Sequence, residues 1–181
     1  MKNLFSFMLA VMIAGSSLVQ AQNPQTSQGN IQPDFKASQA KLVAMTVGIA
    51  SKVQQASLEG YLAILVDERS WTGALKDSDL GPFVKLSPAK TGRRAVLLMS
   101  PKADAVICVF YDEELPFGVA AAQSPKKGKK ITDADAAASY KLVTPEMQTA
   151  NEKSLGLTEG YVKTDEGISM TTYQITFNTT P

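Results

Sequence analysis

The sequence predicts a single α+β domain: a mainly antiparallel sheet packed by an N-terminal helix and a late pair of short helices. Three observations predict it. Phe35, Leu42, Ile49 and Ala56 recur at seven-residue intervals, the spacing of a helix face. Apolar runs of strand length follow at 61–66, 95–99 and 105–111. Near the C-terminus, Thr171, Tyr173, Ile175 and Phe177 alternate with Thr172, Gln174 and Thr176. That period of two marks a strand with one buried and one wet face. Helices at the two ends of a run of antiparallel strands define the α+β class.

The elements follow in order. Residues 1–21 read as an export signal. Lys2 is the positive start, Leu4 to Ala14 the apolar stretch, and Val19-Gln20-Ala21 a small-x-small cleavage site. A membrane span needs about 20 apolar residues, and Gly15-Ser16-Ser17 interrupts this one. The expected mature chain starts at Gln22 and carries no transmembrane segment. Residues 22–33 (QNPQTSQGNIQP) form a polar leader with no periodicity. The domain then occupies residues 34–181.

Asp34 is the expected N-cap of a helix from Phe35 to Leu58, with Met45 and Val53 on its apolar face and Gly60 as its stop. Tyr61 to Val66 reads as a buried strand. From Asp67 to Gly92 the chain reads as one long irregular stretch, with a short strand at Phe83 to Leu86. Connections of that length are uncommon inside a compact domain and are often functional. Ala95–Met99 and Ala105–Tyr111 are apolar on both faces, so they are expected to be central strands joined by a hairpin loop, Ser100 to Asp104. Phe117 to Ala122 adds an edge strand. Thr132 and Asp135 resemble a capping box opening a short helix to Tyr140. Thr144-Pro145-Glu146 opens a second helix, which Gly156 ends. Strands at Tyr161–Thr164 and Ile168–Asn178 close the domain around a turn at 165–167.

Composition excludes much chemistry. The 181-residue chain has no histidine and one cysteine, Cys108. Ser-His-Asp and Cys-His catalysis, Cys/His zinc sites and internal disulfides are therefore ruled out. Cys108 lies in an apolar run and is expected to be a buried, inert thiol. Basic and acidic residues number 18 and 17, and removal of Lys2 leaves 17 of each. Such a balance gives no long-range field toward nucleic acid or anionic membrane. No cofactor and no metal site is expected.

The remaining motifs are weak. Ser-x-x-Lys occurs at Ser38/Lys41, Ser87/Lys90 and Ser124/Lys127, and Lys90-Thr91-Gly92 spells the companion triplet of penicillin-binding enzymes. The triplet shares Lys90 with the first motif, however, and the chain is too short for that fold. Asp77-x-Asp79-x-Gly81 lacks the glycine position and the late glutamate of a calcium loop. Asp112-Glu113-Glu114 offers neighbouring carboxylates without a placed partner across a cleft.

The contact candidates are Trp71, the only tryptophan, with Arg69 in the long stretch, and the basic cluster Lys126, Lys127, Lys129 and Lys130. The cluster has no interleaved aromatic residues on which bases would stack. The function expected is that of an exported non-catalytic module that binds or assembles with a protein or glycan of the bacterial cell envelope or surface. The alternatives are a small carboxylate-dependent glycan hydrolase and a carrier of a small apolar ligand, held between the sheet and the first helix.

Overall fold

A computed structural model describes residues 32–54, 57–67, 78–87, 92–123, 130–148, 155–163 and 169–178. The chain forms α1 (Gln32–Val53), β1 (Leu62–Val66), α2 (Gly81–Leu86), β2 (Arg93–Met99), β3 (Ala105–Asp112), β4 (Leu115–Gln123), α3 (Asp133–Ser139), β5 (Lys141–Leu142), a 3-10 turn at Pro145–Gln148, β6 (Leu155–Lys163) and β7 (Ser169–Phe177). The strands make one antiparallel sheet ordered β5-β4-β3-β2-β1-β7-β6. This is the α+β architecture expected.

The three central strands explain the layering. Along β1, β2 and β3 successive residues are apolar and point to opposite faces, so both faces must be covered. Ala63, Val96, Leu98, Ile107, Val109 and Tyr111 meet Leu42, Val43, Val47 and Ile49 of α1. Their neighbours Ile64, Leu97, Val106, Cys108 and Phe110 meet Phe83 and Val84 of α2 and Ala136 of α3. The sheet is thus sandwiched between α1 with the 3-10 turn on one side and the α2–α3 pair on the other. Cys108 is fully buried, and burial pushes its thiol pKa up, as befits an inert core residue.

Local chemistry accounts for the element ends. In α3 the Thr132 hydroxyl accepts from the Asp135 amide at 3.2 Å, and Asp135 accepts from the Thr132 amide at 2.9 Å. The expected capping box therefore forms with aspartate at its third position. The loop joining β2 to β3 is clamped by Ser100, whose hydroxyl accepts from the amides of Asp104 and Ala105 and donates to Asp104 Oδ1. Glu113 and Glu114 are the two turn residues between β3 and β4, with Glu113 at φ 56°. A positive φ at the first turn residue is the type II′ hairpin pattern.

Several boundaries differ from expectation. α1 starts at Gln32, so Asp34 is inside it and Pro33 takes the first turn. It ends at Val53, because Leu58 is drawn into the core by a loop and the Glu59 carboxylate accepts from the Phe177 amide at 2.7 Å. Gly60 serves that loop, at φ 74°. Phe83 to Leu86 belong to a helix, not a strand. Pro82 starts it, and Leu80, Phe83 and Val84 reach the same core at helical spacing. β4 is not the edge: β5 pairs with Gly118 and Val119, and the Ser139 hydroxyl accepts from the Ala121 amide at 3.2 Å. The helix expected after Thr144 is a single 3-10 turn, and Gly156 lies within β6. The supposedly wet face of β7 is only partly wet, since Thr172 is buried while Gln174 is exposed.

Candidate functional site

A cavity of about 330 Å³ opens between the N-terminal half of α1 and one end of the sheet. Three strands meet there. Leu65, Val66 and Asp67 come from the end of β1, Arg94 to Val96 from the start of β2, and Met170 and Thr171 from the start of β7. Gln39 and Leu42 cover them from α1. Antiparallel registers bring these distant segments together: Val66 lies opposite Ala95, and Ile64 opposite Thr172. Leu65 contributes the accessible apolar surface, while Leu42, Val96 and Met170 lie behind it almost fully buried, Met170 on the α2–α3 side of the sheet. The rim is polar, through Gln39, Asp67, Arg94 and Thr171.

The helical lip of this cavity is tied to the sheet by polar contacts. Ser38 donates to Glu114 Oε1 at 3.0 Å and Lys41 donates to Oε2 at 3.1 Å. Tyr173 donates to Gln39 Oε1 at 3.3 Å. Deeper in, the Thr46 hydroxyl donates to the Leu42 carbonyl at 2.8 Å and lies 2.6 Å from the Tyr111 hydroxyl. Burial raises the Tyr111 pKa far above its usual value, so this phenol stays neutral and structural.

The Glu114 contacts have a consequence in pH. The hydrogen bond from Lys41, then that from Ser38, hold the Glu114 carboxyl below the ordinary glutamate value near 4.5, and the Arg94 charge adds to this. A carboxylate whose folded-state pKa is depressed contributes stability above its unfolded pKa and loses it as pH falls through the folded one. The thermal midpoint of the wild-type chain should therefore fall more steeply below about pH 4.5 than that of Glu114→Gln. Parallel melting curves of equal slope would contradict the contact.

The sequence-derived candidates fare differently. Trp71, Arg69, Lys126, Lys127 and Lys129 lie outside the described residues. Lys130 is described, and its Nζ sits 2.8 Å from Asp79 Oδ1. That ion pair joins the turn before α2 to the segment before α3, and it commits Asp79 to a cation of the chain. Asp77, its expected companion in a calcium loop, lies outside the described residues.

The Ser-x-x-Lys pairs do not assemble a nucleophile. Ser38 and Lys41 both donate to Glu114 rather than to each other. The Ser87 hydroxyl accepts from Arg93 Nη1 at 2.9 Å, while Lys90 and the Ser124/Lys127 pair lie outside the described residues. The acidic turn diverges: Glu114 reaches α1, whereas Asp112 Oδ1 lies 4.0 Å from Arg93 Nε on the other face. Arg93 itself rests on the Phe117 ring, 4.5 Å from its centroid. Among the described residues no cluster of three metal-ligating side chains occurs, and no helix is long and apolar enough to cross a membrane. No protein-family model, curated protein or solved structure matches this chain.

Sequence reasoning missed the cavity residues. Gln39, Leu65, Asp67, Arg94 and Met170 share no motif, and only strand register makes them neighbours. One signal was present: the arginine pair Arg93-Arg94 opens an otherwise apolar strand, and alternation must send one guanidinium to each face.

Proposed function

We propose that this chain is an exported, non-catalytic binding protein of the cell envelope or surface, and that the cavity beneath α1 is its ligand site. The observation that carries this reading is the cavity's construction: a recess of about 330 Å³ between α1 and the sheet, onto which Gln39, Asp67, Arg94 and Thr171 converge. A concave site with a few convergent polar groups is the default location of a ligand site. The reading shares with the expected carrier the place of the ligand, between the sheet and the first helix. The chemistry around it supports binding over turnover. The thiol of Cys108 is buried on the opposite face, and the hydroxyls of Ser38 and Thr46 are already engaged. Glu114, at the helical lip, is held ionised by the hydrogen bonds from Lys41 and Ser38.

Native mass spectrometry of the protein recovered from its producing cells tests both parts. The expected result is a chain beginning at Gln22 that carries a non-covalent small-molecule adduct. A chain retaining Met1 to Ala21 would overturn export. A bare chain that also shows no thermal shift with small polar compounds would overturn the binding role.

A further inference from the structure

The polar wall of the recess carries both signs of charge side by side, and this specifies the ligand more closely. Arg94 stands on the α1 face of β2, beside Tyr111 of β3, and is half-buried at the cavity wall. Among the described residues its guanidinium has no hydrogen-bond or ion-pair partner. Glu114 feels its charge, but the oxygens of Glu114 are taken by Ser38 and Lys41 from the helix side. Asp67 directly follows β1, and one further step of the Val66–Ala95 register sets it opposite Arg94. A donor fork and a carboxylate therefore line the recess on adjacent strands. Two neutral groups complete the wall. The Tyr173 hydroxyl donates to Gln39 Oε1 at 3.3 Å, which leaves the Gln39 amide NH2 to donate. Thr171 of β7 falls beside Leu65 by one further step of the Ile64–Thr172 register.

A half-buried guanidinium without a partner calls for an anion, and a carboxylate matches its fork through two parallel hydrogen bonds. A ligand with net negative charge is disfavoured, because Asp67 stands next to Arg94 and the charges around the recess balance: Arg94 and Lys41 against Asp67 and Glu114. A ligand that carries both charges itself, one carbon apart, matches the adjacent Arg94 and Asp67. Leu65 is the one apolar wall residue with more than slight exposure, so only a small side chain finds apolar contact. A volume of about 330 Å³ lies at the small end of ligand sites and agrees with a compact molecule. We propose that the recess binds a small free α-amino acid as its zwitterion, with the carboxylate on Arg94 and the ammonium toward Asp67. This inference rests on the binding reading above.

An NMR titration of the isotope-labelled full chain with three probes tests it: L-alanine, propionate, which lacks the ammonium, and ethylamine, which lacks the carboxylate. L-alanine should shift the backbone amides of Gln39, Leu65, Arg94 and Thr171. Loss of a charge-assisted hydrogen bond weakens binding roughly tenfold or more, so ethylamine should bind at least that much more weakly than L-alanine. Propionate should bind several-fold more weakly, a smaller loss because Asp67 is exposed and screened by water. Arg94→Gln should weaken L-alanine roughly tenfold or more. Propionate binding as tightly as L-alanine overturns the zwitterion and leaves the recess standing as an anion site. Ethylamine binding more tightly than L-alanine also overturns it, because Asp67 would then govern the recess. Shifts confined to other parts of the chain overturn the location. No binding of any of the three overturns the amino-acid assignment, whereas the binding reading falls only on the bare chain in the native mass spectrum. The three-probe comparison needs no variant, so it decides the question even where Arg94→Gln fails to fold.

Discussion

Replacing Phe110 with alanine should remove about 3–5 kcal/mol of unfolding free energy, the cost of deleting a buried aromatic ring from a core. Phe110 is fully buried on β3, in the middle of the sheet. Its ring lies 6.1 Å from that of Phe117 and 5.9 Å from that of Tyr140, both tilted, as aromatic pairs prefer. It thus joins β3, β4 and the end of α3 on one face. The neighbours are themselves fixed by strand pairing or by the Thr132 cap, so the space left behind cannot collapse. A domain of this size has about 5–15 kcal/mol in total, so the variant would lose a large share of its stability. Urea denaturation measures it. Leu115→Ala is the control, since Leu115 is 74% exposed and should change stability by less than about 0.5 kcal/mol. A loss below about 1 kcal/mol for Phe110→Ala would mean that α2 and α3 do not close this face in solution.

The same comparison of faces explains which features the sequence carried openly. Strands β2 and β3 announce their central position because every residue from Ala95 to Met99 and from Ala105 to Tyr111 is apolar and buried. The α3 cap is local, four residues long, and readable without knowing the fold. α2 is also local, but its signal spans the break at Gly81-Pro82. Starting the pattern at Phe83 hides the helical spacing to Leu80, and the rest looks like a strand. β6 was concealed by its glycines. Gly156 reads as a helix stop, yet in the sheet it faces Thr176, whose hydroxyl donates to its carbonyl at 3.3 Å. Glycine within a strand marks such close approach as readily as it marks an end. The cavity was least legible, because its walls come from residues 39–42, 65–67, 94–96 and 170–171. No local periodicity links those segments. Long-range register assembles them, and register depends on the whole sheet.

Gly118→Ala should destabilise the chain by about 1–3 kcal/mol through overpacking, although alanine ordinarily suits a strand better than glycine. A Cβ at this position would lie 2.6 Å from Tyr140 Cε2 and 2.7 Å from Cζ. The strand cannot move away, so the half-buried Tyr140 ring must shift from its place against Phe110. Gly118 is paired with Phe110 on one side and Leu142 on the other, so its backbone is held from both directions. The Tyr140 ring packs on Phe110 and its backbone ends α3, so moving it costs that contact. The prediction is separable from any intrinsic effect of the substitution. In a Tyr140→Ala background the clash is absent, and Gly118→Ala should be neutral or stabilising by up to about 1 kcal/mol from reduced unfolded-state entropy. The cycle should therefore give a coupling energy of about 1–4 kcal/mol, as expected for residues in direct contact. The same cost in both backgrounds would place the Tyr140 ring elsewhere.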